Sequence, residues 1–581
     1  MASSTTRAPA AKGSERSRGL LLEQLLHSEG RGPALRVGLL LDQPRLPRPE
    51  ALVVEHLRSC DFAEIVVLLR RGEEAAPRRA KALLFSLYAA LERRRSGPAS
   101  ELLACEDLSG QLAGIPSLDL GASTEGDAIR VPEDAAARLR SLELDVIVHL
   151  GARRLESLAP EVSRHGVWSY RWSDVEAYDG GPSGFWELAE RSPVSGVSLL
   201  ALGRRPADAV LLARGLASTD PDGCLTRNRV KPRMLGSSFV IRKLKELHEA
   251  GAVRGDPSAA APLPPRPPRR TNPSNLEMLR FLAPRLVAKA RERLLDVPRR
   301  VQWRVAVRMD GAPSFQANGD FNTTGFRFIE APPGHLFADP FLLRRQGQVY
   351  CFFEDLDHAT GKGIIACARV SPDGELVDPR PALERPYHLS YPCVFQEGER
   401  VYMVPESRRN GTVDLFRATR FPDRWEQVRT LLRGPGLDTT VLRHGGRYWF
   451  FVTVREPEGA GEQLLLFHSE SLTGALCFHP GNPISADVRY CRSGGAIFTD
   501  GGRLIRPSQD CSGTYGRQLH FHQIVALDPD RYREVLLSTI PPWGGLAGTH
   551  TYNRCGEVEV LDGKRLEPVP PRGRRGAVNG S

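Results

Sequence analysis

The downstream half of the chain repeats itself. FADPFLLRRQGQVYCFFE (Phe337 to Glu354), SYPCVFQEGERVYMVPE (Ser390 to Glu406), LDTTVLRHGGRYWFFVT (Leu437 to Thr453) and RSGGAIFTDGGRLIRPSQD (Arg492 to Asp510) share one layout. Each has a polar or Pro-containing start, an apolar strand, a Gly turn and a second strand. GTHTYNRCGEVEVLDG (Gly548 to Gly563) is a fainter fifth copy. A period of about 50 residues is that of four-stranded propeller blades. Five such units predict a closed, all-β five-bladed propeller. A β-sandwich does not account for the regular period.

Upstream the texture is different. VGLLL (Val37 to Leu41), EIVVLL (Glu64 to Leu69) and LDVIVHL (Leu144 to Leu150) are buried-strand runs, separated by helical spacing at Glu50 to Arg58 and Ala80 to Arg95. Strands alternating with helices predict an α/β domain built on a mostly parallel sheet. The seam is the Pro-rich stretch APLPPRPPRRTNP, which cannot hold a helix or a central strand. The chain is therefore expected to be multidomain: a disordered tail over 1–33, an α/β domain over 34–250 and a Pro/Arg-rich linker over 251–275. A connecting helix over 276–300, the propeller over 301–570 and a second disordered tail over 571–581 complete it.

Charge and cysteine usage remove several functions. Lys+Arg is 79 against Asp+Glu 69, a net +10. The basic excess is mostly Arg and scattered, whereas tracking a phosphate backbone needs clustered charge, so nucleic acid is not an expected partner. The 10 Cys form no CxxC pair, which argues against a disulfide scaffold or a structural zinc site, and no metal is expected. No window reaches the ~20 apolar residues of a spanning helix. Gly19 to Leu26 is too short and too interrupted for a signal segment. The expectation is a soluble cytoplasmic protein whose oligomeric state the sequence does not set.

In a propeller the innermost strand of each blade lines a central channel, and equivalent residues converge at one mouth. Here they are Asp339, Tyr391 with Pro392, Asp438, Arg492 with Ser493, and His550. Carboxylates accept hydroxyl protons, Arg supplies fixed donors and aromatic rings pack on sugar faces, so this set suits a polyhydroxylated ligand. Paired carboxylates also suit acid/base work on a glycosidic bond. The catalytic candidates are Asp339, Asp438 and Glu406. The substrate-binding candidates are Tyr391, Arg492, Gln509, Asp510, His550 and Asn553, with Glu354 and Asp355 at a strand end on the rim.

Phe337-Ala338-Asp339-Pro340-Phe341, Tyr387-His388-Leu389-Ser390-Tyr391-Pro392, Met403-Val404-Pro405-Glu406-Ser407 and Arg506-Pro507-Ser508-Gln509-Asp510-Cys511 resemble one known domain. It is the propeller-type domain named for the N-terminal region of plant glucosamine inositolphosphorylceramide transferase. That domain is similar in architecture to five-bladed furanosidase-type glycoside hydrolases, in which an ADPF-like blade start carries a catalytic Asp. The resemblance implies Asp339 as base or nucleophile with Glu406 or Asp438 as partners. It supplies no third-blade Glu for a general acid. In the plant protein glycosyl transfer is assigned to a separate C-terminal domain.

GVWSYRWSDVEAYDGGPSGFWEL (Gly166 to Leu188) with PVSGVSL (Pro193 to Leu199) resembles the formyltransferase fold. The G-x-P turn falls at Gly180 to Pro182, and Ser195-Gly196-Val197-Ser198 matches a TGVT-like strand. The resemblance implies 10-formyltetrahydrofolate as a possible cofactor and an amine as acceptor. Ser169 falls at the family's Asn position, Arg171 at its His position and Asp208 at its Asp. Arg stays protonated and cannot act as the base, so degenerate formyl transfer is expected. The combined expectation is a carbohydrate-active protein of glycoconjugate biosynthesis that takes a sugar, nucleotide-sugar or glycan substrate containing an amino sugar. The alternatives are glycoside hydrolase or transferase chemistry in the propeller with the N-terminal domain as scaffold, and a non-enzymatic glycan-binding module.

Overall fold

The computed structural model describes residues 24–70, 83–121, 123–125, 128–151, 154–155, 158, 162–203, 208–255, 267–295, 299–316, 319–455 and 461–568. The N-terminal domain is a seven-stranded mixed sheet in the order Val210–Ser218, Val194–Leu202, Val167–Arg171, Val146–His149, Leu35–Leu40, Ala63–Arg70, Ser117–Asp119. The five strands from Val167–Arg171 onward run parallel, and the other two are antiparallel at one edge. Side-chain alternation explains why it is covered on both sides. Val37, Leu39, Val146, Val148, Trp168 and Tyr170 enter one core, while Leu40, Ile147, Val67, Leu69 and Val167 enter the other. Helices Arg48–Ser59 and Phe239–Ala250 seal the first face. Glu133–Ser141 seals the second with Ala136 and Leu139.

The downstream half is a five-bladed propeller. Its first four blades are His335–Leu383, Ser390–Arg433, Gly436–Phe478 and Arg492–Ile540, the first three sheets of consecutive antiparallel strands and the fourth with Arg492–Ser493 and Phe498–Asp500 both paired to Arg503–Asp510. The fifth is assembled from both ends of the domain: Tyr552–Cys555 and Val558–Pro568 pair onward with Arg299–Met309 and Arg327–Phe328. Its copy reads faintly because half of its strands precede the first blade.

Several boundaries differ from the expectation. Leu25 and Leu26 are buried in the N-terminal core, and Ser28 bonds His248, so the expected tail does not extend over 25–28; residues 1–23 and 571–581 lie outside the described residues. Arg269–Arg270 of the linker adds a short strand to Asp179–Gly180. Trp186 Nε1 donates to the Thr271 carbonyl at 3.1 Å, which holds the linker against the domain. Helix Asn275–Leu295 is not a free connector. Met278 and Phe281 pack with Phe85, Phe185, Leu188 and Leu225 of the N-terminal domain, and Arg299 already begins the propeller. All ten cysteines are free thiols.

The two domains are fused by backbone. The Leu216 N–H donates to the Ala486 carbonyl (2.9 Å) and the Val488 N–H to the Leu216 carbonyl (3.0 Å). The propeller segment thereby covers the exposed edge of the N-terminal sheet, which would otherwise invite other strands. Leu235 packs so close to Gly461 that a Cβ there would lie 2.8 Å from its Cδ1.

Candidate functional site

The site is built by one device used three times. In the innermost strands of blades one to three the ladder skips two residues, between Ala338 and Phe341, Ser390 and Cys393, and Leu437 and Thr440. The first skipped residue has a left-handed backbone although it is not Gly: Asp339 (φ 51°), Tyr391 (45°) and Asp438 (41°). Each such residue costs of order 1–3 kcal/mol and persists where the surroundings over-determine it. The bulge turns these side chains into the channel. The residue opposite the start of each skip is Glu354, Glu406 or Thr453. In the fourth blade Arg492 stands opposite Gln509.

Two charge clusters result, both buried. In the first, Asp339 Oδ2 accepts the Tyr391 N–H (3.2 Å) and Oδ1 the Thr551 hydroxyl (3.0 Å), with His550 Nε2 at 3.4 Å. The far ring nitrogen of His550, Nδ1, lies 2.6 Å from Asp562 Oδ2, and Asp562 also accepts the Asp339 N–H at 3.0 Å. In the second, Asp438 Oδ2 accepts from Arg492 Nε (2.6 Å) and Gln509 Nε2 (3.0 Å). Arg492 also reaches Glu462 at 3.2 Å and Glu406 at 3.8 Å, and its guanidinium lies over Tyr515, 4.9 Å from the ring centre. Trp303 stacks on His550 with ring centres 3.9 Å apart, and the partly exposed Tyr515 closes edge-on over both.

These surroundings divide the carboxyls by protonation state. Burial, reinforced by the Asp438 charge, raises Glu406 well above the carboxylate range, which favours its protonated form. Asp438 is equally buried, but Arg492 and Glu406 overrule burial and hold it lowered. Burial lifts Asp339 to about 6, with the Asp438 and Asp562 charges adding to it and His550 opposing. Burial and the neighbouring carboxylates also raise Glu354. Burial opposes a charge on His550, yet Asp562 and Asp339 raise its pKa. Asp339, His550 and Asp562 present ligand atoms all within 4.8 Å of one another, so they have the donors to hold a metal ion, which the sequence reading did not expect.

The structure assembles Asp339, Asp438, Glu406, Arg492, Gln509 and His550, and it reassigns three candidates. The Tyr391 hydroxyl is tied to Thr440 (2.8 Å) and to the Gly495 N–H (2.8 Å), bracing the second blade against the third and fourth. The Asn553 amide is spent on the Pro340 carbonyl (2.7 Å) and the Ala496 N–H (2.8 Å). Asp510 follows Gln509 on a strand and so faces away from the channel; it accepts from Ser512 and Gln518, both at 2.8 Å. Glu354 belongs to the buried site and not to a solvated rim, with His388 at 3.3 Å. Sequence reasoning missed Glu462, Asp562 and Trp303. Glu354 and Glu406 carried a signal, since both stand opposite the start of the skip in their repeats.

Of the formyltransferase positions, Ser169 and Arg171 are in contact with each other and Asp208 lies apart from both. Ser169 is fully buried, with His149 Nδ1 at 3.0 Å, and accepts from Arg171 at 3.1 Å. Arg171 also donates to the Tyr170 and Leu155 carbonyls. Asp208 sits in the exposed turn after Val194–Leu202. Because Leu202 pairs with Val167 and Ser198 with Arg171, that turn lies at the opposite end of the strand from Arg171.

A family model described as glucosamine inositolphosphorylceramide transferase 1, N-terminal, matches residues 324–541. The chain is 35% identical over 251 residues to glucosamine inositolphosphorylceramide transferase 1 of Oryza sativa subsp. japonica, covering 40% of this chain and 34% of that protein. The Arabidopsis thaliana protein of the same name is 36% identical over 208 residues, covering 35% and 27%. The chain thus spans about a third of the length of the curated relatives it matches. Among solved structures, a GH43_1 enzyme from Xanthomonas citri (TM-score 0.31, 13% identity) covers 40% of this chain and 87% of its own. The β-1,2-mannobiose phosphorylase from Listeria innocua (TM-score 0.31, 11% identity) covers 40% and 92%.

Proposed function

We propose that the propeller makes or breaks a glycosidic bond on a sugar-containing substrate, in the biosynthesis of a glycoconjugate such as the inositolphosphorylceramide glycan named for its plant relatives. The observation that carries this reading is the split in protonation among buried carboxyls of one site. Burial favours the protonated form of Glu406 and lifts Asp339 only to about 6, the division of labour that glycosidic chemistry uses. Glu406 gives its proton to the departing oxygen as the C–O bond breaks. Asp339 takes the proton of the attacking hydroxyl, from water or an acceptor alcohol, as the new C–O bond forms. Asp438 stays ionised beside Glu406, and Arg492 fixes both.

In this reading the N-terminal domain is a formyltransferase-like scaffold without formyl transfer. Its residues do not fit 10-formyltetrahydrofolate chemistry: the Ser169 hydroxyl is engaged by His149 and Arg171, and Asp208 is at the wrong end of the strand. The test is turnover with nucleotide amino sugars plus an inositol phospholipid acceptor, and separately with aryl glycosides, for wild type and Glu406→Gln. The proposal expects product with one of these substrates and a loss of about 10²–10⁴ in rate in the variant. Binding without turnover on any of them favours the glycan-binding module instead.

A further inference from the structure

Helix Asn275–Leu295 has two apolar faces, and among the described residues only one is packed. Met278 and Phe281 are buried against the N-terminal domain. At 3.6 residues per turn, Leu276, Leu279, Ala283, Leu286, Val287 and Ala290 fall together on another face. There Leu276 is 56%, Leu279 56%, Leu286 65% and Val287 68% exposed. Helix Leu83–Arg95 lies beside it, since the Leu84 N–H donates to Asn275 Oδ1 and the rings of Tyr88 and Phe281 meet at 5.5 Å. It repeats the pattern at a spacing of four, with Leu83 72%, Leu87 57% and Leu91 43% exposed. Side chains of this size are normally exposed singly, and stripes of them mark an interaction surface.

Charge identifies the partner. Arg93, Arg94 and Arg95 end one helix, and exposed Arg280, Lys289 and Arg291 flank the stripe of the other. An exposed apolar stripe bordered by Arg and Lys is the signature of a helix that lies in a lipid interface and is held there by anionic headgroups. Neither helix is long and apolar enough to cross a membrane. We propose that these two helices dock the protein on an anionic bilayer surface, with the leucine stripes entering the headgroup boundary. This is independent of the chemistry assigned to the propeller.

The experiment is co-sedimentation of the full chain with phosphatidylcholine vesicles containing phosphatidylserine, against pure phosphatidylcholine vesicles. Two variants go alongside: Leu279→Glu with Leu286→Glu, and Arg280→Ser with Arg291→Ser, each checked for fold by circular dichroism. Wild type is expected to sediment with the anionic vesicles and to be released by salt. The leucine variant should bind about tenfold more weakly or worse, and the arginine variant should lose most of its preference for phosphatidylserine. Absence of wild-type binding, or binding unchanged in both variants, overturns the proposal. So does a dimer in sedimentation velocity that the leucine variant dissociates, because the face then belongs to a second copy of the chain.

Discussion

Strand Val167–Arg171 of the N-terminal domain and the blade starts at Asp339 and Asp438 both bury polar side chains, and they use them differently. In the strand, among the described residues, Arg171 donates to the Ser169 hydroxyl and to two carbonyls of the fold itself. In the propeller, Glu406, Asp438 and Glu462 crowd around Arg492, Asp339 and Asp562 around His550, and Glu354 lies beside His388, so that carboxyls outnumber the cations beside them. The surplus is met by retaining protons, and retained protons are what acid/base chemistry needs. A buried arginine or histidine therefore says little about function until its partners are counted by charge.

The contrast can be broken most directly at Asp339. Asp339→Asn keeps the shape and removes the base, so turnover should fall about 10²–10⁴-fold; Ser169→Ala should leave it unchanged. Equal losses in the two variants would erase the distinction. Next in size is Arg492→Met, which strands buried Asp438 without its cation, while Glu462 keeps Arg455. Removing one partner of a buried pair destabilises by about 3–5 kcal/mol, to be read as a lower denaturation midpoint. Arg171→Met takes a donor from the Tyr170 and Leu155 carbonyls, about 1–3 kcal/mol for a buried group left unsatisfied, and propeller turnover should be retained.

The smallest effect is in pH. Asp339 must be ionised to accept a proton, so turnover should fall as pH drops through about 6. His550 opposes the rise in the Asp339 pKa, so His550→Gln should move that limb to higher pH. A limb that stays in place would detach Asp339 from the rate. Stability runs the other way for the same group. A pKa raised from 3.8 to about 6 means the protonated form is favoured by folding, so its contribution is present below about 3.8 and lost as pH rises through about 6. Urea midpoints of wild type against Asp339→Asn across that window measure it.

The repeat made the propeller legible, because four copies carry their strands in chain order. The same copies located Asp339, Asp438, Arg492 and His550, since equivalent positions of a ring must converge. Alternation defeated the reading at Asp510: it follows Gln509, so only one of the two can face the channel. Glu462, Trp303 and Asp562 escaped because they lie off the innermost strands, and Trp303 and Asp562 reach the site from opposite ends of the domain. In the N-terminal domain the apolar runs marked the strands well. Asp208 failed because a motif match in sequence does not fix which end of a strand a turn occupies.

The closing blade has a consequence for the life of the chain before it is complete. Arg299–Met309 waits for Val558–Pro568, its partner along eleven residue pairs, while four blades are synthesised between them. Such distant pairing is slow, and it leaves surface open meanwhile. His550 and Asp562 arrive with the last blade, so the nascent ring holds Asp339 without the imidazole that counters its burial. The Asp339 half of the site is assembled by the same event that shuts the ring, whereas the cluster of Asp438 with Arg492 lies wholly on blades two to four.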